Sequence, residues 1–397
     1  MDDHDIPTPA SIPACLFCLI CLAPCGCKPR DPEQVFRREI ASYARSKNDM
    51  VIMAPQILTL TARGGWALKI PPNAHGAALT ITGADPSTPA TLRRGFRGGH
   101  LISVAYGAEL RLKDISLDGN MDAFEEGSLL SVEGRLTISN GTVLRNNASI
   151  AWPGGVYVHN GGRFTMDGGE IGGNKGTGVY VDGGVYAMNG GAIRGNKHGG
   201  VHVRMGQFTM NGGAISDHDG CGVHVLPKGA FTMDAGEISG NKNSGVYVDM
   251  GRFTMNGGAI SGNTAEHGWG GGVCVDGGES TMNGGTISGN DGLWGGGVCI
   301  IKGNFTMEGG EVSNNTASYF GGGVCVWGGR FTMDGGRVSN NTIQHFVVGG
   351  VYVLGKEAAR PHGRSGGQFT RGDRAAIYGN TAGQDGSKIA SDVYMER

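Results

Sequence analysis

The chain has 397 residues, 76 of them glycine and 14 proline, and a formal net charge of −2. That balance supplies no basic field for gripping a phosphate backbone, so nucleic acid is excluded as an expected partner. Breakers at this level would mean disorder in an aperiodic chain, but this one has a period, so they read as tight turns.

The first predicted element, residues 1–27, is an export segment. Five of the nine cysteines (Cys15, Cys18, Cys21, Cys25, Cys27) fall within ACLFCLICLAPCGC, and the others are Cys221, Cys274, Cys299 and Cys325. The apolar run from Ile12 to Ala23 has the length of a signal-peptide h-region, short of the ~18 residues a spanning helix needs. Apolar residues between the cysteines fit such a segment better than a zinc knuckle. LAPCGC resembles the lipobox of bacterial lipoproteins in its loose spirochaete form, which implies lipid attachment at Cys25 or Cys27. Two departures stand against the pattern, the acidic start MDDHD and the placement of Pro24.

Residues 28–50 are predicted as a capping helix and linker. Asp31 is placed to N-cap, Pro32 at the first helical position and Gln34 at the third. Val35, Phe36, Ile40 and Tyr43 form one apolar face, suited to closing the open end of a solenoid.

Residues 51–397 carry the repeat, weakly at first, where ALTITG at 78–83 reads as an early coil. Leu112, Leu117 and Asn120, then Ile138, Val143 and Asn146, copy the spacing of Met166, Ile171 and Asn174. From 155 to 353 the phrase is regular: G-V-x-V, a short turn, F-T-M, then N/D-G-G-x-I-S-G-N. Its starts at Gly155, Gly178, Gly200, Gly222, Gly245, Gly272, Gly297, Gly323 and Gly350 are 22 to 27 residues apart. Three short β segments per repeat, each too small to fold alone, predict one triangular coil apiece. The expected fold is therefore all-β: a right-handed, single-stranded parallel β-helix of about a dozen coils with an N-terminal capping helix. Alternation turns the Val, Phe, Met and Ile positions inward and the Thr of each F-T-M outward. Asn at 174, 196, 241, 263, 290, 315, 341 and 380, interrupted by His218, is expected to form a structural amide ladder.

Outward positions of the first strand are where chemistry would appear. They include Tyr157 and His159, Tyr180 and Asp182, His202 and Arg204, His224 and Leu226, Tyr247 and Asp249, then Cys274 and Asp276. Neighbouring strands are about 4.8 Å apart, so Asp249 and Asp276 are the one carboxylate pair near the spacing of a retaining glycosidase. They lack the clustered acids or basic partner of a polysaccharide-cleaving site, and solvated surface is the plainer reading. Asp182 beside Arg204 reads as a cross-strand ion pair. His202 with His224 lacks a convergent third ligand, and Cys274, Cys299 and Cys325 lie in line, so no metal site and no cofactor are expected. An adjacent thiol pair is near enough for a disulfide, although a packed thiol row is the simpler expectation.

Coils from residue 245 onward are longer, and the extra residues follow the ladder Asn. Trp269, Trp294 and Phe320 each stand three residues before the next phrase, so they are expected to stack in line along one edge, with Trp327 nearby on the outer face. Such a row is a candidate ligand-binding edge, against the alternative that the rings fill a wider coil. Outward Ile301, Trp327 and Leu354 are expected to leave an apolar patch. Arg371-Gly372-Asp373 matches an adhesion tripeptide, a match easily met by chance in a glycine-rich chain.

The phrases GGVYV, FTMNGG and GGAISGN resemble those of the Gly-rich β-helix repeat proteins of spirochaetes, within the pectin-lyase-like class, and more distantly the passenger repeats of chlamydial polymorphic membrane proteins. The resemblance implies placement on the outer surface or in the periplasm, with membrane contact only through a lipid anchor. The expected function is binding of a polysaccharide or a host or matrix protein, possessed by a monomer; a degenerate polysaccharide lyase or glycoside hydrolase and a structural spacer are the alternatives.

Overall fold

The computed structural model describes residues 30–397 except 63–65, 126, 150–152, 346–348, 356–365, 383–388, 391 and 396–397. The segment expected to direct export, with Cys25 and Cys27 as the expected lipid-attachment candidates, lies outside the described residues.

One coil shows how the phrase folds. Val246–Asp249 is extended, the chain turns at Met250 (φ 51°), Arg252–Met255 is extended, and Asn256-Gly257-Gly258 turns again before Ala259–Ser261. Gly258 has φ 80°, a backbone state that side-chain-bearing residues disfavour, which is why the second glycine of the N/D-G-G turn recurs. A Cβ on Gly245, ahead of the V-x-V strand, would lie 2.6 Å from Ile260 Cγ2 and 2.8 Å from Asn263 Nδ2, so that glycine is set by close packing.

The next coil repeats this in parallel register: Val246 opposes Val273, Phe253 opposes Ser280 and Ile260 opposes Ile287. Stacking about a dozen coils builds three parallel sheets, called here sheet 1 (V-x-V strands), sheet 2 (F-T-M strands) and sheet 3 (the short I-S strands). The inward columns form the core, and the aromatic column stacks, with Phe164, Tyr186, Phe208, Phe231 and Phe253 at successive centroid distances of 4.6, 4.6, 4.7 and 5.2 Å. Ser280 breaks the column; it is 2 % exposed and its hydroxyl has no partner. Beyond the gap, Phe305 and Phe331 are tilted by 54° at 6.0 Å instead of stacked.

The amide ladder forms as the sequence predicts. Asn241 donates through its backbone N and its Nδ2 to Asn263 Oδ1 (3.1 and 2.7 Å), and Asn263 does the same to Asn290 (3.0 and 2.9 Å). His218 keeps the chain of bonds going by accepting from Asn196 N on Nδ1 at 3.0 Å. The early coils need correction by one residue. Leu144, not Val143, aligns with Ile171, and Asn147, not Asn146, accepts the ladder position, donating its backbone N to Asn174. The turn after Ile138 holds one residue more than the regular turn, and in a strand a slip of one residue exchanges inside for outside. Asn120 is outside the ladder and donates to the Arg94 carbonyl.

The helix Pro32–Tyr43 packs on the first coil through Phe36, Ile40 and Tyr43, with Val35 only half-buried. Tyr43 donates its hydroxyl to the Ala77 carbonyl at 2.7 Å, and Arg37 donates to the carbonyls of Thr61 and Ala67. At the other end Val393–Met395 pairs in parallel with Val351–Val353 and continues sheet 1 by one strand.

Candidate functional site

On the outer face of sheet 1, register alignment places Tyr157, Tyr180, His202, His224 and Tyr247 in one column running parallel to the solenoid axis. All five are half-buried, and successive ring centroids are 5.7, 6.0, 5.2 and 4.8 Å apart. The first three contacts are edge-on and the last is tilted by 37°, while Tyr157 also meets the His159 ring at 4.0 Å.

Beside this column runs a polar one. Arg204 grips Asp182 with two bonds, Nε to Oδ1 at 3.0 Å and Nη2 to Oδ2 at 2.6 Å, and the pairing holds the Asp182 carboxyl below its ordinary range. Tyr157 donates its hydroxyl to the same carboxylate at 3.2 Å, and burial pushes that phenol up to about 12. One strand earlier, the Ser131 hydroxyl and His159 Nε2 are 2.8 Å apart. Burial lowers His159, while Glu133 and Asp182 pull it back toward the charged form. Ser131 was not foreseen, because SLLSV at 128–132 lacks the G-V-x-V signature.

Three histidines are held neutral. Burial, with the nearby His224 and His198, takes His202 down to about 3, and burial takes His218 to about 4. His100 falls to about 4 through burial, aided by His159 and Arg94. His202 and His224 sit edge to face at 5.2 Å, and among the described residues no three His, Cys, Asp or Glu side chains converge on an ion-sized site.

Asp249 and Asp276 are cross-strand partners, as their spacing required. Asp276 faces Lys302 at 3.9 Å. Past Asp276 the strand pairing shifts register, so the regular polar column stops there.

The long coils add a fourth sheet, built from the parallel strands Thr264–Trp269, Asp291–Trp294, Thr316–Phe320, Thr342–Ile343 and Thr381–Ala382, with Ile389–Ala390 antiparallel at its edge. Trp269 pairs with Trp294 and Trp294 with Phe320, so the rings stand in line. Trp269 and Trp294 stack on each other at 4.2 Å, and Trp327 meets Trp269 edge-on at 5.1 Å. Together with Tyr247, Phe320 and Tyr352 they cover the thiols of Cys274, Cys299 and Cys325, which are at most 2 % exposed. The thiol column therefore has a steric reason: where sheet 1 carries Cys in place of Tyr or His, an indole or phenyl ring from the long coil fills the vacated space. Ile301 and Leu354, expected to be outward and exposed, are 6 % and 5 % exposed because this layer covers them. The four predicted rings thus form a small second core outside the solenoid, with half-buried edges toward solvent and their main faces turned to one another.

The match to known proteins covers part of the chain: residues 154–309 fit the family described as right handed beta helix region. The match and the three-sheet solenoid fit the pectin-lyase-like β-helix class. No curated protein and no solved structure matches.

Proposed function

We propose that this β-helix is displayed on the cell envelope, at the outer surface or in the periplasm, and binds a linear glycan along the outer face of sheet 1. The observation that carries the reading is the aromatic column from Tyr157 to Tyr247, repeated once per coil and flanked by the Asp182–Arg204 pair. A fold of this class hosts many activities, so the argument rests on the surface. Rings recurring every 4.8–6.0 Å suit a polymer whose units also recur along one axis, and planar charged groups beside them suit hydroxyls that donate and accept. The half-buried edges of Trp269, Trp294, Phe320 and Trp327 continue the apolar run beyond Tyr247 and offer a ligand a wall more than a platform.

The test is a screen of the full chain against neutral and acidic oligosaccharides and matrix proteins, with Tyr180→Ala and Tyr247→Ala alongside. Each substitution is expected to weaken glycan binding by roughly three- to tenfold. Binding that is indifferent to both, or that is confined to matrix proteins, refutes the reading. Asp249→Asn in the same screen addresses turnover: a glycan-cleaving enzyme built on this carboxylate would lose product release, and a binding surface would have none to lose. Anchoring at Cys25 or Cys27 is part of the proposal, and requires labelled palmitate to be incorporated by the chain and lost in the Cys25→Ala, Cys27→Ala double variant.

A further inference from the structure

The corner between sheets 1 and 2 is hollowed across four successive coils into a cleft of about 480 Å³, a volume ordinary for a small-ligand site. Its lining includes four glycines, Gly76, Gly107, Gly134 and Gly161. A Cβ on Gly161 would meet nothing within 4 Å, so the hollow there is open space. At the rim stands Tyr106, 78 % exposed, the most exposed large apolar side chain among the described residues. An aromatic ring held out at the mouth of a concavity has its face free, unlike the Trp269 and Trp294 rings.

The charged groups of the cleft are under-used. Arg163 and Glu133 make no side-chain hydrogen bond or ion pair among the described residues. Arg135 reaches Glu109 only at 3.7 Å, and that carboxylate is already held by Arg111 at 2.7 Å. Both signs are therefore available within one hollow. A carboxylate ligand would find Arg163 but would also face Glu133, and a cationic ligand would meet the reverse conflict. A neutral sugar has neither problem: its hydroxyls accept from guanidinium and donate to carboxylate, and its C–H face packs on a phenol ring. The cleft also adjoins the sheet 1 surface, because Glu133 directly follows the strand Leu130–Val132 and lies close enough to His159 to act on its charge.

We propose that this cleft is a subsite for a neutral pyranose unit, with Tyr106 under the ring and Arg163 and Glu133 on its hydroxyls, continuing the glycan path of sheet 1. The inference rests on the glycan reading of that sheet, and the experiment separates the two. The full chain is titrated by calorimetry with cello-, xylo-, manno-, malto- and chito-hexaose and with hexagalacturonate, for the native sequence and for Tyr106→Ala, Tyr106→Phe, Arg163→Ala and Tyr180→Ala. At least one neutral hexaose is expected to bind, with affinity falling roughly three- to tenfold in Tyr106→Ala and in Arg163→Ala and kept in Tyr106→Phe. Both truncated side chains are solvent-exposed, so melting temperatures are expected to stay put; a lowered one would assign the loss to folding and overturn the subsite. Binding of hexagalacturonate alone, or neutral binding that only Tyr180→Ala weakens, overturns the subsite and leaves the sheet 1 reading standing. Binding weakened by the cleft variants and not by Tyr180→Ala keeps the subsite and removes the sheet 1 path. If no hexaose binds, both fail.

Discussion

Removing one rung of the amide ladder is the sharpest test of how this solenoid is held. In Asn263→Ala the lost Oδ1 strands two donors on Asn241, its backbone N and its Nδ2, both now bonded at 3.1 and 2.7 Å in a site where Asn241 is 1 % exposed. A buried donor left without a partner costs about 1–3 kcal/mol, so the pair predicts a loss of roughly 2–6 kcal/mol. The deleted Nδ2 also gave bonds to the Ile238 carbonyl and to Asn290 Oδ1, at 3.1 and 2.9 Å. Coils contact only their neighbours, so the damage is expected to appear first as local opening and not as one global transition. The assay is amide hydrogen exchange at Asn241 and in the adjoining coils, with urea unfolding in parallel. Asn263→His is the internal control, since His218 already occupies a ladder position and accepts from Asn196 N at 3.0 Å; it is expected to fall between the native chain and the alanine variant. Unchanged protection at Asn241 together with a loss under ~1 kcal/mol would refute the claim that the ladder is energetically coupled.

His218→Asn should flatten the acid sensitivity of the fold. Burial holds His218 at about 4 in the native state while the unfolded value is ~6.5, so between those limits the unfolded chain takes up a proton that the folded chain refuses, and stability falls as pH drops through that window. A melting-temperature slope from neutral pH down to the native value that is the same in both proteins would contradict this, although His202 and His100 leave some slope in either case. Ser280→Ala removes a buried hydroxyl without a partner and is expected to be neutral or to stabilise by up to about 1 kcal/mol; a loss larger than that by urea unfolding would mean the hydroxyl is satisfied. Trp294→Ala opens the layer above the thiols, with an expected cost of about 2 kcal/mol, reduced from the value for a full core site because the ring is half-buried. Its specific sign is faster alkylation of Cys299, now 0 % exposed, and unaltered thiol reactivity would show that the indole does not cover it.

The local rules of this protein are written along its chain. The alternation of Val246, Val248, Phe253 and Met255, the Gly258 turn and the recurring Asn determine strand, corner and ladder by themselves, because each depends on a residue and its partners one coil away at nearly constant spacing. Where the turn after Ile138 grows by one residue, that constancy fails and the reading slips from Leu144 to Val143. The outer surface follows a different logic. Which rings touch is decided by where the long coils fold back, and that depends on contacts across the fold: Trp269 and Trp294 close over Cys274 and Cys299 and turn their faces to each other instead of to a ligand. The same holds for the corner cleft, where Tyr106, Glu133 and Arg163 come from three separate coils and stand at different positions of their turns. An inward position answers to its own strand and the one stacked on it, so periodicity in sequence suffices to place it. A surface site is a coincidence of side chains from separate coils, and only the stacked solenoid brings them within reach of one another.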